Sequence, residues 1–338
     1  MSHHITLLPG DGIGPEVTEA TLHVLDATGV DITWERHQIV GTSAVEEGRP
    51  SLPPDVPAAI RETKVGLKGP ITTPVGTGFT SVNVQLRQEM DLYANVRPCT
   101  TLPGLDVPFE NVDLVTFREN TEGLYAGIEH YDKRLEIADS IARITRRGSE
   151  RIIRFCFEWA KNNGRERVTL VHKANILKMS TGMFLDIGYD IAEDYPDIQF
   201  DDRIIDNMCM QLVINPEDYG CIVTTNLFGD ILSDLAAGLV GGLGVVAGAN
   251  LGDEYAVFEA VHGSAPDIAG QGIANPTALI RTAVLMLEHI GEQAAADAIH
   301  DELVAMYREG DHLTTDVGGE SSTMAFARRL ADRVAAVL

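Results

Sequence analysis

Short apolar runs alternate along this chain with stretches in which apolar residues recur every three or four positions. Ile5 to Leu8 is an apolar run of strand length, and Pro9-Gly10-Asp11-Gly12-Ile13-Gly14-Pro15-Glu16 is a glycine-rich turn into a helix predicted from about Val17 to Thr28. A strand at 32–38, helices near 42–47 and 54–62, and a strand at 65–69 keep the rhythm. Strand and helix in turn predict β-α-β units and a parallel sheet, hence an α/β fold. Further on, the same signals predict helices at 148–162, 183–193, 297–306 and 325–338, and a strand at 168–171. The glycine turn has neither the Lys-Ser/Thr ending of a phosphate loop nor G-x-G-x-x-G spacing, so by itself it is no nucleotide signature.

One later stretch joins pattern to chemistry. Cys221-Ile222-Val223 reads as a buried strand, Asn226 and Gly229 as punctuation, and Leu232, Leu235, Ala236 and Leu239 as the apolar stripe of a helix. Asp230 and Asp234, four apart, would then share one face at the start of that helix, about 5 to 6 Å apart at Cβ. Such a pair is either two solvated acids in a first turn or the oxygen donors of a hard divalent cation, Mg²⁺ or Mn²⁺. The segment from Leu232 to Val246 is apolar and rich in small residues, which suits a subunit interface.

Composition narrows the class. With 338 residues, 44% of them hydrophobic, the chain can bury a large core and divide into two domains. No apolar run reaches the length of a membrane span, and the start lacks the basic and apolar regions of a signal peptide, so a cytoplasmic protein with no membrane partner is expected. Cys99, Cys156, Cys209 and Cys221 are widely spaced, which predicts reduced thiols rather than a zinc site or a disulfide framework. Fifty acids against 26 bases, only six of them lysines, give a net charge of −24, which excludes nucleic acid as a partner. Such a surface suits a salt-adapted protein or an acidic mesophilic one.

Against that background Arg87, Arg97 and Arg118 each stand at the edge of an apolar run. Separately, each reads as a surface ion pair. Together, three guanidiniums would bind a small substrate with several carboxylates, because each planar fork matches a carboxylate bidentately.

These segments, with Asp230 and Asp234, resemble the β-decarboxylating dehydrogenases, which comprise the isocitrate, 3-isopropylmalate, homoisocitrate and tartrate dehydrogenases. The likeness runs from Leu8-Pro9-Gly10-Asp11-Gly12-Ile13-Gly14-Pro15-Glu16 to Thr315-Asp316-Val317-Gly318-Gly319 and includes Val171-His172-Lys173-Ala174-Asn175 and Ile204-Ile205-Asp206-Asn207-Met208. It implies a two-domain α/β fold of the isocitrate/isopropylmalate dehydrogenase kind rather than a standard Rossmann fold. A large cofactor-binding domain would comprise 1–98 and 255–338, and a small one 99–254, with the dimer interface and the metal-binding carboxylates. By the same likeness Arg87, Arg97 and Arg118 hold the malate-like core, with Asn175 also at the substrate. Tyr125 is the acid that protonates the product carbon, and Lys173 the base-side residue supplied across a homodimer or higher homo-oligomer. The metal would be held by Asp230 and Asp234 of one subunit and Asp206 of the other.

Ser81 and Asn83, in Ser-x-Asn-x-x-Leu-Arg, resemble the isocitrate enzymes, since a hydroxyl and an amide can bond a third carboxylate but would be left unpaired opposite an alkyl group. Oxidative decarboxylation of isocitrate is therefore expected, with homoisocitrate or 3-isopropylmalate oxidation, or a non-catalytic regulatory subunit, as alternatives. For the cofactor, Gly242-Leu243-Gly244-Val245-Val246-Ala247 fits G-x-G-x-x-A but follows a helical stretch, so it reads as a tight turn. The family's adenosine loop is matched instead by His262, Gly263, Ala265, Asp267 and Ile268, followed by Asn275, and Thr72 is expected at the cofactor as well. Asp267 would repel a 2′-phosphate, and Gly319 stands near where NADP-using relatives place an arginine, so NAD is the expected cofactor.

Overall fold

Two sets of parallel strands run in opposite directions, and three antiparallel pairings in the middle splice them into a single ten-stranded sheet. The computed structural model describes residues 2–39, 52–72, 81–310 and 312–338. The strands are β1 (His3–Leu8), β2 (Ile32–Arg36), β3 (Val65–Lys68), β4 (Ala94–Thr100), β5 (Asp113–Glu119), β6 (Glu129–Asp132), β7 (Ile137–Ser140), β8 (Arg167–His172), β9 (Gln199–Ile204), β10 (Cys221–Thr224), β11 (Ala249–Leu251) and β12 (Ala256–Glu259). The helices are α1 (Gly14–Asp26), α2 (Asp55–Thr63), α3 (Val82–Glu89), α4 (Arg146–Asn162), α5 (Ser180–Ala192), α6 (Ile205–Ile214), α7 (Asn226–Leu239), α8 (Thr277–His289), α9 (Gln293–Glu309) and α10 (Thr323–Val337). The order across the sheet is β2-β1-β3-β12-β11-β4-β5-β10-β8-β9, and β6 and β7 form a separate hairpin.

One wing, β2-β1-β3-β12, is parallel throughout, and so is the other, β5-β10-β8-β9. Between them β12–β11, β11–β4 and β4–β5 are antiparallel. Three reversals leave the wings pointing opposite ways, which is not the single parallel run of a nucleotide-binding sheet. At the seam, side chains alternate between faces. Asn95 and Arg97 of β4 and Glu259 of β12 reach one face, where they line a cleft. Val96 and Phe258, with the opposite parity, line a groove on the other face.

Most of the predicted elements form. Helix α4 buries Ile152, Ile153, Cys156, Phe157 and Ala160, a three-and-four stripe, and Thr145 caps it by accepting the Gly148 amide at 3.0 Å. Helix α1 starts at Gly14, earlier than predicted, with Pro15 in the first turn where a missing N–H costs nothing. The stretch predicted as a helix at 42–47 and most of the Gly/Thr-rich loop after Thr72 lie outside the described residues. Helix α8 escaped prediction because it is buried on nearly every side and so shows no amphipathic contrast.

Two readings around the acidic pair need correction. Helix α7 begins at Asn226, so Gly229 lies inside it, and Asp230 and Asp234 fall in its second and third turns instead of its first. Gly229 is there for space: a Cβ would sit 2.6 Å from the Arg118 side chain. The Leu232–Val246 segment serves this chain's own core, where Leu232, Ala236, Ala237, Leu239, Val240 and Val245 are buried, and among its large apolar side chains none is left broadly exposed. Among the described residues no helix is long and apolar enough to cross a membrane.

Candidate active site

The cleft at the seam is built from strand ends and helix starts. Helix α3 presents Asn83 and Arg87, four apart, on one face, and Ser81 is its N-cap residue without spending its hydroxyl on the cap. Strand β4 contributes Arg97, and β5 carries Arg118 as its next-to-last residue, beside the first two turns of α7. Together with Lys68, Tyr125, Asp230 and Glu259 they line a cavity of about 570 Å³. The three arginines therefore converge.

Each is aimed by a different partner. Arg118 donates through Nε and Nη2 to the Asn226 side-chain oxygen at 2.9 and 2.7 Å and pairs through Nη1 with Asp230. Arg97 reaches the Ser233 hydroxyl at 2.6 Å and Asp234 at 3.1 Å. Arg87 donates to Glu259 at 2.5 Å, and Lys68 donates to the other oxygen of the same carboxylate at 2.8 Å. The Asn250 amide completes that cluster at 2.9 Å and is itself held by Asn95 and Asn120 at 2.8 and 2.9 Å.

Four cations thus face three carboxylates, Glu259, Asp230 and Asp234. Burial, and then the positive charges of Arg87 and Arg97, bring Arg118 down to about 10; burial and Arg87 act on Arg97 in the same direction. The buried Nε atoms of Arg87 and Arg97 and the Oδ1 of Asn83 have no partner. Unpaired donors among mutually repelling cations are the mark of an anion site. The shape is preformed for something small with several negative charges.

Tyr125 rides on a short turn, Leu124–Ala126, and donates its hydroxyl to Asp230 while its ring lies 5.0 Å from the Arg118 guanidinium carbon. Burial and then the bond to Asp230 push its pKa up, so it keeps its proton at neutral pH. Burial alone would raise Asp230 as well, but Arg118, the Tyr125 hydroxyl and Arg97 outweigh it and hold this carboxyl below its usual range. Asp234 goes the other way: burial and the neighbouring Asp230 outweigh Arg97 and raise it. A carboxyl raised next to another carboxylate gains from a cation, and two oxygens on one helix face suit a hard divalent ion. Among the described residues no three His, Cys, Asp or Glu side chains cluster closely enough to hold a metal.

A second cavity, of about 640 Å³, adjoins the first and shares His262, Gly263 and Ala265 with it. Its walls also include Ile13, Gly244, Ile268, Asn275 and Asp316. His262 Nδ1 lies 2.9 Å from the Gly263 carbonyl, burial lowers its pKa, and its Nε2 is buried without a partner. A neutral ring that donates through Nδ1 leaves Nε2 free to accept a bond from a ligand. Asn275 is spent internally, donating to Asp316 at 3.0 Å and accepting the Thr277 amide at 3.0 Å. Thr72 is braced by Asp11 and Ser264, at 2.7 and 2.6 Å, and the glycine-rich turn closes over the same spot. Gly12, at φ +60, lies where a Cβ would come within 2.1 Å of the Ser264 carbonyl. The turn is a brace for the cleft wall, and no phosphate cradle is needed to explain it.

Asp267 is exposed and lies outside the residues lining this second cavity. Lys173, Asn175 and Asp206 also lie away from the first: Lys173 pairs with Asp206 at 2.6 Å on the outer surface, and Asn175 is exposed beside them. Lys68 and Asn250 were given no role from the sequence, and Glu259, Gly244 and Asp316 stood only inside motifs, Gly244 in the one read as a tight turn, although it lines the second cavity. Lys68 had a signal, one of six lysines placed at the end of an apolar strand just before Gly69-Pro70.

An α/β fold whose opposed wings enclose a polyanion cleft beside an apolar cavity defines a class of enzyme that acts on a small acid with a larger cofactor. The chain belongs to the isocitrate/isopropylmalate dehydrogenase family, whose sequence profile matches residues 4–334. The crystal structure of isocitrate dehydrogenase from Methylococcus capsulatus superposes with a TM-score of 0.94 at 55% identity, over 98% of this chain and 99% of that one. Among curated relatives, the NAD isocitrate dehydrogenase catalytic subunit 5 of Arabidopsis thaliana mitochondria is 47% identical over 97% of this chain and 88% of its own length. The mitochondrial NAD isocitrate dehydrogenase subunit alpha of Bos taurus is 45% identical over 98% and 90%.

Proposed function

We propose that this chain oxidises and decarboxylates isocitrate to 2-oxoglutarate and CO₂ with reduction of NAD⁺, assisted by Mg²⁺ or Mn²⁺. The observation that carries the reading is the convergence of Arg87, Arg97, Arg118 and Lys68 on one cavity that opens into the apolar second cavity. The names of the relatives support the substrate and the cofactor. In this reading the chain divides into a large domain, 1–98 with 255–338, and a small one, 99–254, with the cleft between them.

The arginine forks hold the two carboxylates of the malate-like core and fix the alcohol carbon toward the second cavity. Ser81 and Asn83 face the cleft from α3, and a hydroxyl and an amide N–H suit the third carboxylate, which 3-isopropylmalate lacks and homoisocitrate carries on a longer arm. Asp230, Asp234 and Asp206 of a second copy would hold the cation, which would supply charge stabilisation at the substrate oxygens, and NAD⁺ would supply the hydride acceptor. Loss of the hydroxyl proton and the hydride leaves a β-keto acid. Its C–C bond breaks to release CO₂ with the electron pair left on the enolate, and Tyr125 returns a proton to the carbon. Lys173 of a second copy takes the hydroxyl proton and later backs Tyr125.

The second copy is proposed on three grounds. Lys173 and Asp206 face outward, one chain supplies only two carboxylates, and the surface around them carries exposed Ile176, Met179, Met210, Val213 and Ile214. A homodimer that buries this patch would bring the missing groups to the cleft. Four free cysteines fit a reducing compartment, the cytoplasm in our reading, although the curated relatives named above are mitochondrial.

Initial rates with isocitrate, homoisocitrate and 3-isopropylmalate, each with NAD⁺ or NADP⁺ and with or without EDTA, test the proposal. The expected result is EDTA-sensitive NADH formation, fastest with isocitrate. No turnover by the purified chain would favour a non-catalytic subunit, and a preference for 3-isopropylmalate would overturn the reading of Ser81 and Asn83.

A further inference from the structure

Resting on the reading of Lys173 as the proton-accepting side chain, the geometry points to His172 as the residue that positions it. His172 closes β8, is 5% exposed, and sits one residue before Lys173 with its own side chain turned inward. Its Nε2 lies 2.9 Å from Asp202 on the neighbouring β9, and the other oxygen of Asp202 accepts the Tyr189 hydroxyl at 2.6 Å. Its Nδ1 lies 2.9 Å from the Ala174 amide nitrogen.

That last contact fixes the tautomer. A backbone N–H can only donate, so Nδ1 must be the bare nitrogen and Nε2 must carry the proton given to Asp202. The imidazole therefore acts as a rigid rod between a strand-bound carboxylate and the backbone two residues on. It does what an Asx turn does, with a longer and stiffer side chain.

The rod has a purpose in the local backbone. The turn after β8 must leave the sheet and aim Lys173 and Asn175 outward. The Lys173 carbonyl accepts the Ile176 and Leu177 amides at 3.0 and 2.8 Å, and its amide donates to the Thr181 hydroxyl at 3.2 Å. Thr181 and His172 thus grip the chain on the two sides of the Lys173 α-carbon. Lys173 has a long flexible stem, and its ammonium is otherwise tethered only to the exposed Asp206. Without the His172 contact the peptide plane after Lys173 is held from its carbonyl side alone, and the side chain can leave its line. Displacements of about 1 Å from productive geometry can cost about 10²-fold in rate.

Three variants of the full-length protein test this. In His172→Leu both nitrogens are lost, and kcat is expected to fall about 10²-fold, with KM for isocitrate and for NAD⁺ changing less than about threefold. In His172→Asn the amide oxygen can accept the Ala174 N–H as an ordinary Asx turn, and kcat is expected to recover to within roughly fivefold of wild type. Hydrogen exchange at the Ala174 amide should be fast in His172→Leu and slow again in His172→Asn. Unchanged kcat in His172→Leu overturns the inference, as does an equal loss in both variants or an Ala174 amide that exchanges alike in all three proteins. Lys173→Met, assayed in parallel, separates the two levels. If it turns over normally, the reading of Lys173 has failed and His172 has nothing to position. If it is inactive while His172→Leu is not, only the role of His172 falls. Should His172→Leu not fold, the kinetics and exchange of His172→Asn against wild type still decide.

Discussion

Arg118 and Lys173 are assigned to the same reaction, yet they sit in opposite physical circumstances. Arg118 is 1% exposed, fixed by Asn226 and Asp230, and its stem fills the space that Gly229 leaves open. Lys173 lies at the outer surface with a single tether to a carboxylate that is itself exposed. The first belongs to a region in which strand ends and helix starts fix the three guanidiniums and Lys68 before a ligand arrives. The second belongs to an edge that one chain leaves open. The difference teaches that this chain preorganises the anion site and Tyr125 by itself, whereas in the proposed reading removal of the hydroxyl proton depends on what covers the edge.

The sharpest way to break the comparison is to empty the preorganised side. Arg118→Met should lower kcat/KM for isocitrate by about 10³-fold, since it removes a bidentate charge-assisted contact and frees Asp230 and Tyr125 from their partner. The check is a steady-state titration, with circular dichroism to show that the sheet survives. A loss below tenfold would mean that the convergence of arginines is not the substrate site.

Next in size is the buried cluster behind Arg87. Burial opposes charge on Glu259, but Lys68 and Arg87 outweigh it and hold the carboxyl far below its ordinary 4.5. Its folded pKa is thus lower than its unfolded one. Its contribution to stability is complete above pH 4.5 and is lost as the pH falls below that value toward the folded pKa. Glu259→Gln leaves two buried cations without a counter-charge and should cost about 3 kcal/mol at pH 7, read from urea unfolding. The variant should also show a shallower loss of stability below pH 4.5 than wild type. Equal acid slopes in the two proteins would contradict the pairing.

The open edge is sharpened by mixing. Asp230→Asn and Lys173→Met should each be nearly inactive. In a homodimer with sites shared between subunits, co-expression in equal amounts makes half of the dimers mixed, and each mixed dimer has one intact site of two. Activity should return to roughly a quarter of wild type. No recovery would place Lys173 in the service of its own chain, against the geometry of the edge.

The sequence was legible in proportion to contrast. The stripe of α4 and the alternation from β1 to β3 stood out because one side of each element differs from the other. Helix α8 did not, being buried nearly all round. The arginines were visible as rare bases at the edges of apolar runs, but their convergence needed the two reversed wings, which periodicity cannot reveal. Asp230 and Asp234 were found as a pair and misplaced by one turn, because Gly229 read as punctuation ahead of the helix when its real function is room for Arg118 inside it. Lys68 and Glu259 are 191 residues apart, and only the β3–β12 pairing, Lys68 beside Glu259, makes them one cluster. Asp316 lies in a motif quoted for the resemblance alone, and its place in the wall of the second cavity shows only in the folded chain.

The smallest expected effect tests the edge from the side of stability. The Lys173–Asp206 contact is short, at 2.6 Å, and a count of ion pairs would credit it as highly as the buried contacts of Glu259. Asp206 is fully solvated, so water and salt screen the attraction, and ordering the long lysine stem offsets what remains. Lys173→Met should therefore leave the unfolding midpoint of the protein unchanged even as it abolishes turnover. The measurement is a pair of urea curves, wild type and variant, at low and at high KCl. A clear destabilisation that vanishes with salt would show that the pair is structural, and the contrast drawn between Arg118 and Lys173 would then be one of degree, with both sides of the site held in place by the chain that carries them.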